Sequence, residues 1–134
     1  MRDLNKFRGC LIGGAAGDAL GYAVEFRMAN DIFRQYGESG ITAYALTNGI
    51  AEISDDTQMT LFTANGLLYG ATRVRMRGIG NDSGYLHDAY QDWYITQTSP
   101  YPVADKGNVS WLVNVPGLFC RRAPGNTCLS ALSS

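Results

Sequence analysis

The sequence predicts an all-α protein, on three observations. Apolar residues recur at helical spacing over 54–69 and again over 84–97. Gly9, Gly13, Gly17 and Gly21 repeat every four residues, so on a helix they form one slowly drifting stripe. No stretch alternates apolar and polar residues as a half-buried strand does. The chain has 134 residues, a length suited to one domain with a respectable core. Its formal net charge is −1, which argues against a dedicated nucleic-acid binder.

The first helix is expected from Asp3 to about Phe26. Each interior glycine costs about 1 kcal/mol relative to alanine, so the stripe requires an offset. Close approach of another helix or of a ligand backbone is the physical candidate, and a tightly packed core helix is the plainer reading. Asn30 or Asp31 is suited to cap a short helix through Gln35. Gly37-Glu38-Ser39-Gly40 and Asn48-Gly49 read as turns. The connection from Arg27 to Ile50 is long, which is uncommon unless it is functional. Ser54 to about Tyr69 reads as a helix with Met59, Leu61, Phe62, Leu67 and Leu68 on its apolar side, stopped by Gly70. Arg73, Arg75 and Arg77 then fall in a solvated loop. Asn81-Asp82-Ser83 caps a helix from Gly84 to about Gln97, whose Tyr85, Leu86, Ala89, Tyr90, Trp93 and Tyr94 form a core stripe. Pro100, Pro102 and Gly107 mark a loop, and an apolar stretch from Val109 ends at Pro116. A last helix begins at Asn126 or Thr127.

No segment has the roughly 20 apolar residues that a membrane-spanning helix needs. The basic start with Arg2, Lys6 and Arg8 is a weak export signal, since Leu11 and Ile12 are the strong hydrophobes of the stretch that follows. Cys10, Cys120 and Cys128 are odd in number and lack C-x-x-C pairs, so neither a disulfide framework nor a zinc site is expected. Reduced cysteines in a cytoplasmic protein are the simplest expectation.

Ser54-Asp55-Asp56-Thr57 is the densest polar cluster beside an apolar helix. Carboxylates and a hydroxyl suit a hard divalent cation such as Mg²⁺ or Mn²⁺. Successive helical residues point about 100° apart, so the three neighbours converge only at a non-helical entry to the helix. The same pattern also reads as an N-cap, Ser54, followed by two acids that complement the helix dipole. Asp18 and Glu25, seven residues apart, fall on nearly one helical face about 10 Å apart. They suit a metal ligand, a supporting acid or a general base, or else a solvated pair. Gly125, Asn126 and Thr127, behind Arg121-Arg122, open a helix with a glycine-bearing loop. They are candidates for binding an anionic cofactor or substrate group, or they form an ordinary capped turn. His87 has no visible nucleophile to activate and reads as structural or surface.

The stretch Gly9-Cys10-Leu11-Ile12-Gly13, then Gly17-Asp18-Ala19-Leu20-Gly21 and Glu25, resembles the opening of the ADP-ribosylglycohydrolase family, which includes the dinitrogenase reductase-activating glycohydrolases. Ser54-Asp55-Asp56-Thr57-Gln58-Met59-Thr60 is similar to that family's first metal motif. Tyr90-Gln91-Asp92-Trp93 with Thr96-Gln97, and Arg122-Ala123-Pro124-Gly125-Asn126-Thr127, fit it in order. The resemblance implies an all-α helical bundle with a binuclear Mg²⁺ or Mn²⁺ centre. By it, Ser54, Asp55 and Asp56 are metal ligands, Asp55 and Asp56 serve catalysis, and Glu25 positions or activates water or gates the substrate. It implies ADP-ribose or an ADP-ribosylated protein as partner and hydrolysis of an N-glycosidic bond, often to arginine.

The family's second metal motif, of D-x-D-[ST] type, does not occur here. The expectation is therefore a truncated member: 1–134 as the N-terminal portion of one domain, with an incomplete binuclear site and no activity alone. Faces left uncovered would then favour self-association. A non-catalytic structural or ADP-ribose-binding protein of the same fold is the alternative.

Overall fold

The computed structural model describes residues 3–78, 80–104 and 107–133. Helix α1 spans Leu4–Gly21. Asp3 caps it, its carboxylate accepting from the Asn5 N–H at 2.9 Å. The expected continuation to Phe26 is instead a tighter 3₁₀ turn, Tyr22–Val24, a common way for a helix to finish. Helix α2 spans Ala29–Tyr36 and is entered from Met28, not from Asn30 or Asp31. Asp31 lies in its first turn, where it complements the positive helix end and pairs with Arg34 at 3.1 Å.

Strands β1 (Leu46–Thr47) and β2 (Ile50–Ala51) pair antiparallel across Asn48-Gly49. Both turn residues have positive φ, 51° and 81°, the geometry of a two-residue hairpin. This ribbon is a small departure from the all-helical expectation, since two-residue strands are too short for alternation to register. The fold is otherwise helical, as predicted.

Helix α3 spans Asp55–Arg77 and runs well past Gly70. A Cβ at Gly70 would lie 2.8 Å from the Tyr85 ring, so this glycine serves close helix packing and not termination. The stop comes at Gly78, whose φ of 71° is left-handed and whose N–H donates to the Val74 carbonyl. Arg73, Arg75 and Arg77 therefore lie in the last turns of α3, where they complement its negative end, and not in a loop. Leu67 and Leu68 are exposed, contrary to expectation. The buried side of α3 runs instead through Gln58, Phe62, Asn65, Gly66 and Gly70.

Helix α4 spans Asp82–Thr98, and 3₁₀ turns cover Trp111–Asn114 and Pro116–Leu118. Helix α5 spans Asn126–Leu132 with Gly125 at its N-cap. No described helix is long and apolar enough to cross a membrane.

The chain divides into two compact units, Met1–Thr57 and Gln58–Ser134. The second carries a core of Phe62, Trp93, Leu112, Val113 and Leu118, with Met59, Cys128, Leu129 and Leu132 packed around it. In the first, Ala19 is the one buried apolar side chain among the described residues. Leu4, Phe7 and Ile12 of α1 are exposed. The glycine stripe is not closely covered: a Cβ added at Gly9, Gly13, Gly17 or Gly21 would meet no heavy atom within 4 Å. The expected close approach occurs instead at Gly66, where a Cβ would lie 2.9 Å from that of Ala89 and 3.0 Å from the Tyr85 carbonyl oxygen.

Candidate functional site

Ser54 is 2% exposed and stands just outside α3. Its hydroxyl accepts the Asp56 N–H at 3.1 Å, as an N-cap does. Its own N–H donates to Asp18 Oδ2 at 2.8 Å, and the Thr57 hydroxyl donates to the same oxygen. Asp18, near the end of α1, thus fastens both sides of the α3 entry. This explains how Asp18 is accommodated within an apolar run: its side-chain oxygen gains two hydrogen bonds. Asp55 and Asp56 are the first two residues of the helix, Asp55 half-buried and Asp56 exposed. The cluster therefore straddles the non-helical entry, the arrangement that lets neighbouring oxygens face one region.

Glu25 follows the 3₁₀ turn, so the helical arithmetic that placed it on the face of Asp18 does not apply. The first unit nonetheless brings it near the same acids. Partial desolvation, then the charges of Asp55, Asp56 and Asp18, raise its carboxyl pKa above the ordinary value. The Glu25 carboxyl thus feels the charges of all three aspartates of this unit's polar cluster.

The donors fit a hard divalent cation in kind, since carboxylate and hydroxyl oxygens are what Mg²⁺ and Mn²⁺ take. They fit it only in part in number. Among the described residues, no three His, Cys, Asp or Glu side chains converge as a complete metal-binding group. Water or further donors would have to fill most of an octahedral shell.

Gly125, Asn126 and Thr127 belong to the second unit. They form the N-cap and the exposed first two residues of α5. His87 is exposed beside Asp88, at 3.6 Å, as its reading on the surface had it.

Sequence reasoning missed Gln58. It is 1% exposed and is the hub of a buried polar network in the second unit. Its Oε1 accepts from Trp93 Nε1 at 3.2 Å and from Gln97 Nε2 at 3.0 Å, and its Nε2 donates to the Cys120 carbonyl at 3.1 Å. Asp92 is likewise buried, accepting from Asn108 Nδ2 and, at 2.7 Å, from the Ser110 N–H. Polar residues recurring on the core side of α4, Asp92, Thr96 and Gln97, were the available signal.

The ADP-ribosylglycohydrolase family model matches residues 1–134 of this chain. The chain belongs to the ADP-ribosylglycohydrolase family. Its function is accordingly ADP-ribosylglycohydrolase-like at the level of the family. No curated protein and no solved structure matches it significantly.

Proposed function

We propose that the acidic site serves metal-dependent hydrolysis of the bond between ADP-ribose and a modified protein side chain, such as arginine, or a related ADP-ribose conjugate. Asp55 and Asp56 at the α3 entry, with Asp18 hydrogen-bonded to the flanking Ser54 and Thr57 and their charges acting on Glu25, carry this reading. Ser54, Asp55 and Asp56 would hold Mg²⁺ or Mn²⁺. The bound ion would supply orientation of the ribose hydroxyls and a more acidic water. Glu25 accepts a proton from the attacking water, and its raised pKa moves it toward the range a general base needs. The water oxygen then bonds to the anomeric carbon, and the side-chain nitrogen leaves with its electron pair and takes up a proton. Asp18 keeps the two aspartates at the helix entry by holding Ser54 and Thr57.

The sequence contains no D-x-D motif, so these 134 residues supply one half of a binuclear site in this reading and do not turn over alone. Calorimetry of the chain with Mg²⁺, Mn²⁺ and ADP-ribose tests it. The expected result is divalent-cation binding that Asp55→Ala abolishes while helicity is retained. ADP-ribose binding without any metal dependence would favour a non-catalytic binding protein instead. Metal binding unchanged in Asp55→Ala, or none in a folded chain, would overturn the reading.

A further inference from the structure

A cavity of about 480 Å³ lies in the first unit, lined by the Phe26-Arg27-Met28 segment and by Asp31, Arg34 and Gln35 of α2. Arg27 is half-buried, and its guanidinium lies over the Tyr36 ring, 5.8 Å from the centroid. That contact uses the flat face of the group and leaves its N–H edge. No hydrogen bond or ion pair to that edge occurs among the described residues. Arg34 pairs with Asp31 at 3.1 Å, so those two charges offset each other. The described lining then has one positive charge in excess, that of Arg27. Phe26 and Met28, its neighbours in the chain, are 74% and 75% exposed, so two large apolar side chains flank the fork. A cation is disfavoured by the two arginines. A purely apolar ligand would desolvate Arg27 without giving it an acceptor. A monoanion on an apolar arm satisfies both features: its two oxygens take the N–H fork, and the arm covers Phe26 and Met28.

We propose that this cavity is a carboxylate-binding site, in which Arg27 meets both oxygens of a single carboxylate and Phe26 and Met28 hold the apolar arm that carries it. Glu25 is not among the described lining residues, so the site does not draw on the proposed general base and stands apart from the hydrolysis reading. Stacking on Tyr36 fixes the plane of the guanidinium before a ligand arrives, which lowers the ordering cost of binding. A lysine at this position would supply the charge without the planar fork. A phosphate monoester is a poorer occupant, because it carries about −1.5 to −2 charge at pH 7 and faces Asp31 as well.

The test is an NMR titration of the isotope-labelled chain with phenylacetate and, in parallel, with acetate and phenyl phosphate. The expected result is saturable shifts with phenylacetate, confined to the amides of residues 26–36. Acetate, which lacks the apolar arm, and phenyl phosphate should both bind more weakly. Arg27→Gln should weaken phenylacetate binding by about tenfold. Arg27→Lys keeps the charge and loses the fork, and it should weaken binding too. Phe26→Ala is the variant that leaves Arg27 in place, since a side chain this exposed can be removed without threatening the fold. It should narrow the gap between phenylacetate and acetate. No saturable shift in the folded chain, equal affinity for phenylacetate and acetate, tighter binding of phenyl phosphate, or wild-type affinity in both Arg27→Gln and Phe26→Ala would overturn the proposal.

Discussion

Replacing Gln58 with leucine probes how firmly the sequence motif is built into the second unit. The volume is nearly preserved, so the effect comes from polar atoms. Four hydrogen bonds are lost, to Trp93 Nε1, Gln97 Nε2, the Cys120 carbonyl and the Cys120 Sγ. Gln97 keeps the Thr96 hydroxyl at 2.8 Å. The Trp93 N–H, on a side chain with 0% exposure, and the Cys120 carbonyl lose the partner they have here. At about 1–3 kcal/mol for each of these two stranded groups, the loss is about 2–6 kcal/mol, offset in part by the apolar gain of leucine. Against a total of about 5–15 kcal/mol for a small domain, this is a large fraction. Urea unfolding followed by circular dichroism should show a midpoint about 1–2 M lower with an unchanged slope. A midpoint equal to wild type would refute the claim that this network holds α3 in place.

Three further outcomes are expected. Gly66→Ala should destabilise by about 1–2 kcal/mol, overpacking against Ala89 outweighing the propensity gain, whereas Gly13→Ala, in open space, should stabilise by about 1 kcal/mol. Paired urea midpoints check the opposite signs. Asp18→Ala frees the Ser54 N–H and Thr57 hydroxyl and should weaken Mn²⁺ binding by about 10–100-fold, measured by calorimetry. Glu25 has a raised pKa, so the folded chain holds its proton more tightly than the unfolded one. Its contribution is full below the ordinary glutamate pKa and is lost as pH rises through the raised value. Urea midpoints of the metal-free protein should therefore carry a falling component across that window that Glu25→Gln removes. Identical pH profiles for the two proteins would contradict it.

The helices were legible where their signals were local. Apolar spacing located α3 and α4, Asn48-Gly49 announced the hairpin turn, and Asn126 marked the start of α5. The Ser54-Asp55-Asp56 cluster was legible as both cap and acid site, and the structure realises the cap directly. The extent of α3 was not legible, because Gly70 has the identity of a stop signal and the role of a packing residue. Which face of α3 is buried was hidden for the same reason: Gln58, Asn65, Gly66 and Gly70 carry no apolar signature, yet they line the side facing the core. The partnership of Asp18 with Ser54 and Thr57 spans 36 and 39 residues. No local pattern specifies a contact between positions so far apart in sequence. Glu25 moved out of its expected helical register because the chain tightens after Gly21. Its proximity to the acids is a property of the folded first unit.

The most direct test of the central claim is an electron paramagnetic resonance titration of the chain with Mn²⁺. The account predicts loss of the free-ion signal on binding to wild type, competition by Mg²⁺, and no such loss in the Asp55→Ala, Asp56→Ala double variant. A free-ion signal that persists with folded wild-type protein, or that is quenched equally by the double variant, would contradict it.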